Sequence, residues 1–215
     1  DESLQRVGNW LQSTISPDKQ QRQEAEEALR SAEEQPGHVV LLFRLAVDPN
    51  LPVTPVLRHA AVIHMKNLVS KRWCVVEPPR HWKEKEKQGP ELSEADKAVV
   101  RINLAEAITA AQPQIRVQLG LCLRTAILND YPAGYPQLLP AICARLASSE
   151  PHHIHGAAFS LRVLCKCFEF RHAEERLPLH DIITATFPAL VHLLGQIAVR
   201  PLSPTSAELA HLITK

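Results

Sequence analysis

Five times along the chain a proline stands where an apolar-periodic stretch begins. The pairs are Ser16-Pro17, Thr54-Pro55, Gln112-Pro113, Glu150-Pro151 and Ser203-Pro204. Proline suits the first helical position, because the N–H it lacks would have had no partner there. In three of the pairs the Ser or Thr before it can cap the amides that follow. The prolines are 38, 58, 38 and 53 residues apart. Such a spacing demands a unit built again and again.

Ten helical stretches are predicted, at 2–14, 17–34, 37–47, 55–73, 94–111, 113–129, 136–148, 151–169, 179–198 and 204–215. No alternating apolar–polar pattern reads as a strand. A period of about 40–47 residues with two helices per unit is the mark of HEAT repeats. The fold class expected is therefore all-α: a right-handed α-solenoid of about five helical hairpins, the last incomplete, spanning 1–215 as one region. The two long intervals need insertions. One is 75–93, VVEPPRHWKEKEKQGPELS, whose charge and three prolines break helical periodicity and read as an exposed loop. The other extra length falls in 170–178 and the long helix after it.

The second helix of each unit is apolar around much of its circumference. Val117, Leu119, Leu121, Cys122 and Ile127 are one such set, and Ala157, Ala158, Leu161, Leu164, Cys165 and Phe168 another. Helices of this kind are sandwiched between neighbours, as in a solenoid whose units bury their cores against one another. Only 5% of residues are aromatic and only seven are Gly. That balance favours helix on helix over a β-sandwich and leaves little material for a glycine-rich phosphate loop.

Eleven residues after four of the prolines stands a cation: Lys66, Arg124, Arg162 and Lys215, with Ala28 at that place in the first unit. Eleven residues is close to three helical turns, so stacked hairpins would line these charges up. Two readings stand side by side. Each cation pairs with a neighbouring carboxylate or carbonyl, or together they form a face for an acidic partner.

Signals for bond chemistry are absent. The net charge is +1, which argues against a nucleic-acid reader. The five cysteines form no C-x-x-C pair and fit reduced thiols; Cys122, Cys143 and Cys165 read as small buried hydrophobes. His152, His153 and His155 lack the fourth ligand and carboxylate partner of a metal site, and His64 reads as a core residue. Glu26 and Arg30 read as a helix ion pair. No G-x-S-x-G, P-loop or H-E-x-x-H motif occurs. No catalytic residue, cofactor or metal is expected, so the chain is not read as an enzyme. No apolar run of the ~18 residues needed to cross a membrane is seen, so no membrane partner is expected.

Several local sequences together resemble the karyopherin-β family. The opening Trp10-Leu11, then Ser16-Pro17-Asp18 and Arg22-Gln23-Glu24-Ala25-Glu26, is similar to that family's first hairpin. Arg58-His59-Ala60-Ala61 running to Lys66-Asn67-Leu68-Val69 and closing at Lys71-Arg72-Trp73 is similar to its second, with the R-x-A-A-x-x-x-x-K-N pattern. Ile115 to Leu119, Asp130-Tyr131-Pro132 and Glu174 to Leu179 resemble the importin seven and eight branch. Ala133-Gly134-Tyr135-Pro136 departs from the aromatic-rich continuation usual there.

The resemblance implies a nuclear transport receptor segment that binds Ran in its GTP state, in a protein that imports cargo. Second helices would line a concave face, with Ran on the amino-terminal hairpins and cargo mostly on later ones. Lys66 and Asn67 would face Ran by the K-N motif, with Arg22 and Arg58 as further candidates. Partners implied are RanGTP, protein cargo and nucleoporin FG repeats, in a protein shuttling between cytoplasm and nucleus through the pore. Two other readings remain: a HEAT scaffold of another kind, such as a phosphatase regulatory subunit, and a HEAT-like DNA glycosylase.

Overall fold

A computed structural model describes residues 2–75, 89–199, 201 and 203–214. Every regular element among them is helical: α1 (Glu2–Ser13), α2 (Lys19–Ala32), α3 (His38–Val47), α4 (Pro55–Arg72), α5 (Glu94–Ala110), α6 (Pro113–Asp130), α7 (Leu138–Leu146), α8 (Pro151–Phe168), a 3₁₀ turn at Glu174–Arg176, α9 (Leu177–Ala198) and α10 (Pro204–Thr214). All ten predicted helices are present. Residues 76–88 of the expected loop, with its charged run, lie outside the described residues, as does Lys215.

Proline starts the helices by the expected means at Pro55 and Pro151, each in the first turn. Thr54 Oγ1 accepts from the Leu57 amide at 3.2 Å, and Ser203 Oγ accepts from that of Ser206 at 3.1 Å. The first pair is different. Pro17 precedes the helix, and Asp18 is the cap, its carboxylate accepting from the Gln20 amide at 2.8 Å. Ser16 instead turns its hydroxyl to the Asp18 amide. A carboxylate two positions closer to the helix outcompetes the hydroxyl, and its charge also suits the positive end of the helix dipole.

The chain forms two compact units, residues 1–102 with 112–125, and 103–111 with 126–215. In the first, α1 packs on α2, α3 on α4, and α1 also on α3 and α4. Helix α1 thus meets its hairpin partner and both helices of the next hairpin, which is how a solenoid buries its core. Helix α1 shows why: Leu4, Val7, Gly8 and Leu11, at three- and four-residue spacing, form its one buried stripe. Between the hairpins Gly37 takes a left-handed backbone (φ 86°), and its amide donates to both carboxylate oxygens of Asp96 at 3.1 and 3.0 Å.

In the second unit α7 packs on α8 and α9, and α8 on α9 and α10. Helix α8 reaches α5 at Gly156, where a Cβ would lie 2.6 Å from the Thr109 Cα. Helix α9 begins two residues earlier than predicted, because Pro178 fits its first turn instead of preceding it. It buries Ile182, Thr186 and Leu193 and leaves Ile183, Phe187 and Val191 exposed. With the 3₁₀ turn joined to it, Glu174–Ala198 is long and apolar enough to span a membrane by length and composition alone. The linear reading had found no such run, because it counted uninterrupted apolar residues and this helix is broken by Asp181, His180 and His192.

Candidate partner-binding face

Four residues were expected to meet a partner, and the structure separates them into two pairs. Arg22 and Arg58 each clasp the turn before their own helix. Arg22 Nη1 donates to the Ser16 and Pro17 carbonyls at 2.7 and 2.9 Å, and Arg58 Nη2 to the Leu51 carbonyl at 3.0 Å. These carbonyls have no helical partner, so a guanidinium there stabilises the turn. Lys66 and Asn67 carry no such duty. Lys66 is half-buried and Asn67 exposed on α4, and the ammonium donates to the Asn67 side-chain oxygen.

Helix α6 continues this chemistry within the same unit. Lys66 lies near enough to Cys122 that its charge partly offsets the effect of burial on that thiol, whose pKa is pushed up to about 12. Cys122 is therefore a buried hydrophobe, inert as a nucleophile at neutral pH. On the same helix Val117 is 53% exposed and Leu121 45%. Both had been assigned to the stacking core. Val117, Leu121 and exposed Arg124 follow at intervals of four and three, so they share one open face. That spacing relative to the cation was the signal that could have placed them outside. On α4 Ile63 sits one turn before Asn67 and is 36% exposed.

Among the described residues Lys66, Arg124 and Arg162 form no ion pair. The reading in which each cation of the series pairs with a neighbouring carboxylate or backbone carbonyl does not describe these three. Nor do Glu26 and Arg30 pair; both are exposed, and Gln20 and Glu24 hydrogen-bond instead at 2.9 Å.

Behind this face lies a polar cluster. Glu33, at the end of α2, sits 3.2 Å from His64 Nε2 and 3.2 Å from Arg72 Nη2, while Arg72 Nη1 donates to the Glu33 carbonyl at 2.9 Å. The His64 contact, more than burial opposes it, holds the Glu33 carboxyl below its ordinary range. His64 is thus the partner of a carboxylate, not a core residue among apolar neighbours. His38 packs edge-on to it with ring centroids 5.9 Å apart, is 3% exposed, and finds no partner for Nε2. Burial pushes its pKa down to about 4.

The histidines of α8 are occupied locally. His153 Nδ1 is 3.0 Å from Ser148 Oγ, the His152 ring lies tilted against that of His153 with centroids 4.3 Å apart, and His155 Nε2 is 3.3 Å from Glu208. Among the described residues no three His, Cys, Asp or Glu side chains gather to hold a metal. Cys143 and Cys165 are half-buried, whereas Cys167, not singled out from the sequence, is buried.

Helical hairpins that keep an apolar, cationic face open define a HEAT-repeat binding protein. Residues 25–110 match the importin-beta N-terminal domain family. The chain is 33% identical to importin-8 of Homo sapiens over 195 residues, covering 90% of the chain and 18% of that protein. It is 30% identical over 185 residues to the importin beta-like SAD2 homolog of Arabidopsis thaliana, covering 86% and 17%. The fold matches the exportin Cse1 in its cargo-free, cytoplasmic state (TM-score 0.79, 18% identity, 97% of this chain and 22% of that one). It also matches Kap121p bound to RanGTP (TM-score 0.51, 20% identity, 99% and 19%). The chain belongs to the karyopherin-β family of nuclear transport receptors and is similar to its importin-8 branch. It spans less than a fifth of the length of these curated relatives.

Proposed function

We propose that the face of α4 and α6 carrying Lys66 and Asn67 binds Ran in its GTP state, and that the protein imports cargo through the nuclear pore. The observation that carries this reading is the freedom of Lys66. It is a half-buried cation on a packed helix whose one bond among the described residues is to its own neighbour, while Arg22 and Arg58 hold turns. A half-buried lysine costs side-chain entropy and desolvation without a carboxylate to offset them, which an acidic partner would supply. Arg124 adds a second cation, and Ile63, Val117 and Leu121 supply apolar area beside it.

The mechanism is one of linkage. RanGTP and cargo bind the same receptor with opposing preference, so high RanGTP in the nucleus drives cargo off. Kap121p, whose fold this chain shares, is known in complex with RanGTP. Nucleoporin FG repeats are the expected partners during passage, and shuttling between cytoplasm and nucleus follows. No bond chemistry is assigned to any residue.

The test is retention of purified Ran on the immobilised protein. Ran loaded with GTP is retained and Ran loaded with GDP is not. Lys66→Glu weakens retention by about tenfold or more, as expected when a charge-assisted contact becomes repulsive, and its far-ultraviolet CD spectrum is unchanged. Equal retention of both nucleotide forms points to a scaffold of another kind. Normal binding by Lys66→Glu removes the assignment of that residue. A gel shift with alkylated or abasic duplex DNA would reveal a glycosylase-like activity, and none is expected from a net charge of +1.

A further inference from the structure

Three of the five repeated prolines follow a hydroxyl, and two of those hydroxyls cap their helices. Thr54 and Ser203 hold amides in the first turn of α4 and α10. Ser16 is free of that duty, because Asp18 caps α2 in its place. The Ser16 Oγ donates to Gln21 Oε1 at 2.8 Å and accepts from the Asp18 amide at 3.2 Å, and both bonds lie at the surface. Ser16 itself is half-buried, and Pro17, Asp18 and Lys19 after it are exposed.

This segment has the form that a protein kinase accepts. Ser16 lies between α1 and α2, outside either helix, and the proline after it biases its backbone towards an extended conformation. Lys19 stands three residues past the hydroxyl, where α2 is only beginning. Proline next to the acceptor and a cation three residues past it make the pattern S-P-x-K, and kinases discriminate among serines by such charge patterns. Thr54 and Ser203 lack it, since Leu57 and Ser206 stand at the corresponding places.

The surroundings also suit the product. Arg22 already reaches this turn, with Nη1 on the Ser16 and Pro17 carbonyls at 2.7 and 2.9 Å. A phosphate on Ser16 therefore has Arg22 and Lys19 as cationic neighbours. Against them stands one carboxylate, Asp18, which the Gln20 amide already engages. A phosphate facing a guanidinium gains charge-assisted hydrogen bonds that order the segment carrying it.

We propose that Ser16 is a phosphorylation site for a proline-directed serine/threonine kinase that selects a cation three residues past the acceptor, and that Arg22 holds the phosphate. In the transfer, Ser16 Oγ attacks the γ-phosphorus of ATP. The Oγ–P bond forms as the bond from phosphorus to the bridging oxygen breaks, ADP leaves, and the hydroxyl proton passes to the catalytic aspartate of the kinase. The site is separate from the Lys66 face and does not depend on that face binding Ran.

The test treats the purified protein with a cyclin-dependent kinase and Mg²⁺–ATP and maps the phosphates by mass spectrometry. Ser16 is expected to take up phosphate in the folded chain, while Thr54 and Ser203 take none. Lys19→Ala slows incorporation at Ser16 by about tenfold or more, and Pro17→Ala abolishes it. Urea midpoints followed by CD read the role of Arg22. Phosphorylation raises the midpoint of the native chain and lowers that of Arg22→Gln, in which Asp18 is left to repel the phosphate. An unmodified Ser16, or a rate at Ser16 unchanged in Lys19→Ala or in Pro17→Ala, overturns the assignment of the site. An equal change of midpoint in the native and Arg22→Gln chains overturns the role of Arg22.

Discussion

His38 should make this protein lose stability well above the pH at which its carboxylates titrate. The ring is 3% exposed, faces His64, Glu33 and Arg72, and has no acceptor or donor for Nε2. Burial drops its pKa from 6.5 in the unfolded chain to about 4 in the folded one. A depressed histidine binds its proton more readily when unfolded, so stability is complete above pH 6.5 and declines as pH falls towards 4. Across the whole window the gap corresponds to about 3 kcal/mol, and between neutral pH and pH 5 to about 2 kcal/mol. Near-complete burial means that solvent screening takes little from this figure. Glu33, whose carboxyl is held low mainly by His64, loses its stabilising charge in the same direction as pH falls, but only below its unfolded value of 4.5. The two contributions therefore separate on the pH axis. Urea midpoints followed by CD from pH 7.5 to 5 should fall in the native chain and stay nearly level in His38→Phe, which keeps a ring in the site. Hydrogen exchange in α3 and α4 should accelerate with acid over the same range. A level midpoint in the native chain, or the same fall in His38→Phe, would refute the argument.

Three further outcomes are expected. Gly156→Ala should cost about 1–3 kcal/mol in urea unfolding, because its Cβ would press on the Thr109 backbone at 2.6 Å, and backbone cannot yield as a side chain does. Asp18→Ala should destabilise α2 by about 1 kcal/mol, measured the same way, whereas Ser16→Ala should cost less, since the carboxylate and not the hydroxyl caps the helix. Mass spectrometry after iodoacetamide at pH 8 should find Cys74 alkylated first, being exposed, and Cys122 untouched until the chain unfolds, its thiol being buried with a pKa near 12.

Helix existence was legible in the residue order because it rests on local physics. Proline at N1, a capping hydroxyl at Thr54 and an apolar stripe such as Leu4, Val7 and Leu11 act within one or two turns, and they predicted ten helices correctly. The karyopherin-β family was legible for the same reason: short motifs in a fixed order survive where overall identity is only 30–33%. Residue order also marked Lys66 and Asn67, but it could not tell them from Arg22 and Arg58. All four are polar positions on helices that begin beside a proline, and only the coordinates show two of them holding turn carbonyls.

Contacts between distant segments decided the rest. Hydrophobicity alone puts Val117 and Leu121 in the core, yet whether an apolar residue is covered depends on where a neighbouring helix passes, and among the described residues none covers them. His64 read as a core residue until Glu33, 31 positions earlier, was found 3.2 Å from its ring. A chain of amino acids determines which helices form, since each forms from its own neighbours. Which faces remain open, and which charges remain unanswered, is set by packing between residues far apart in order, and that is where binding resides.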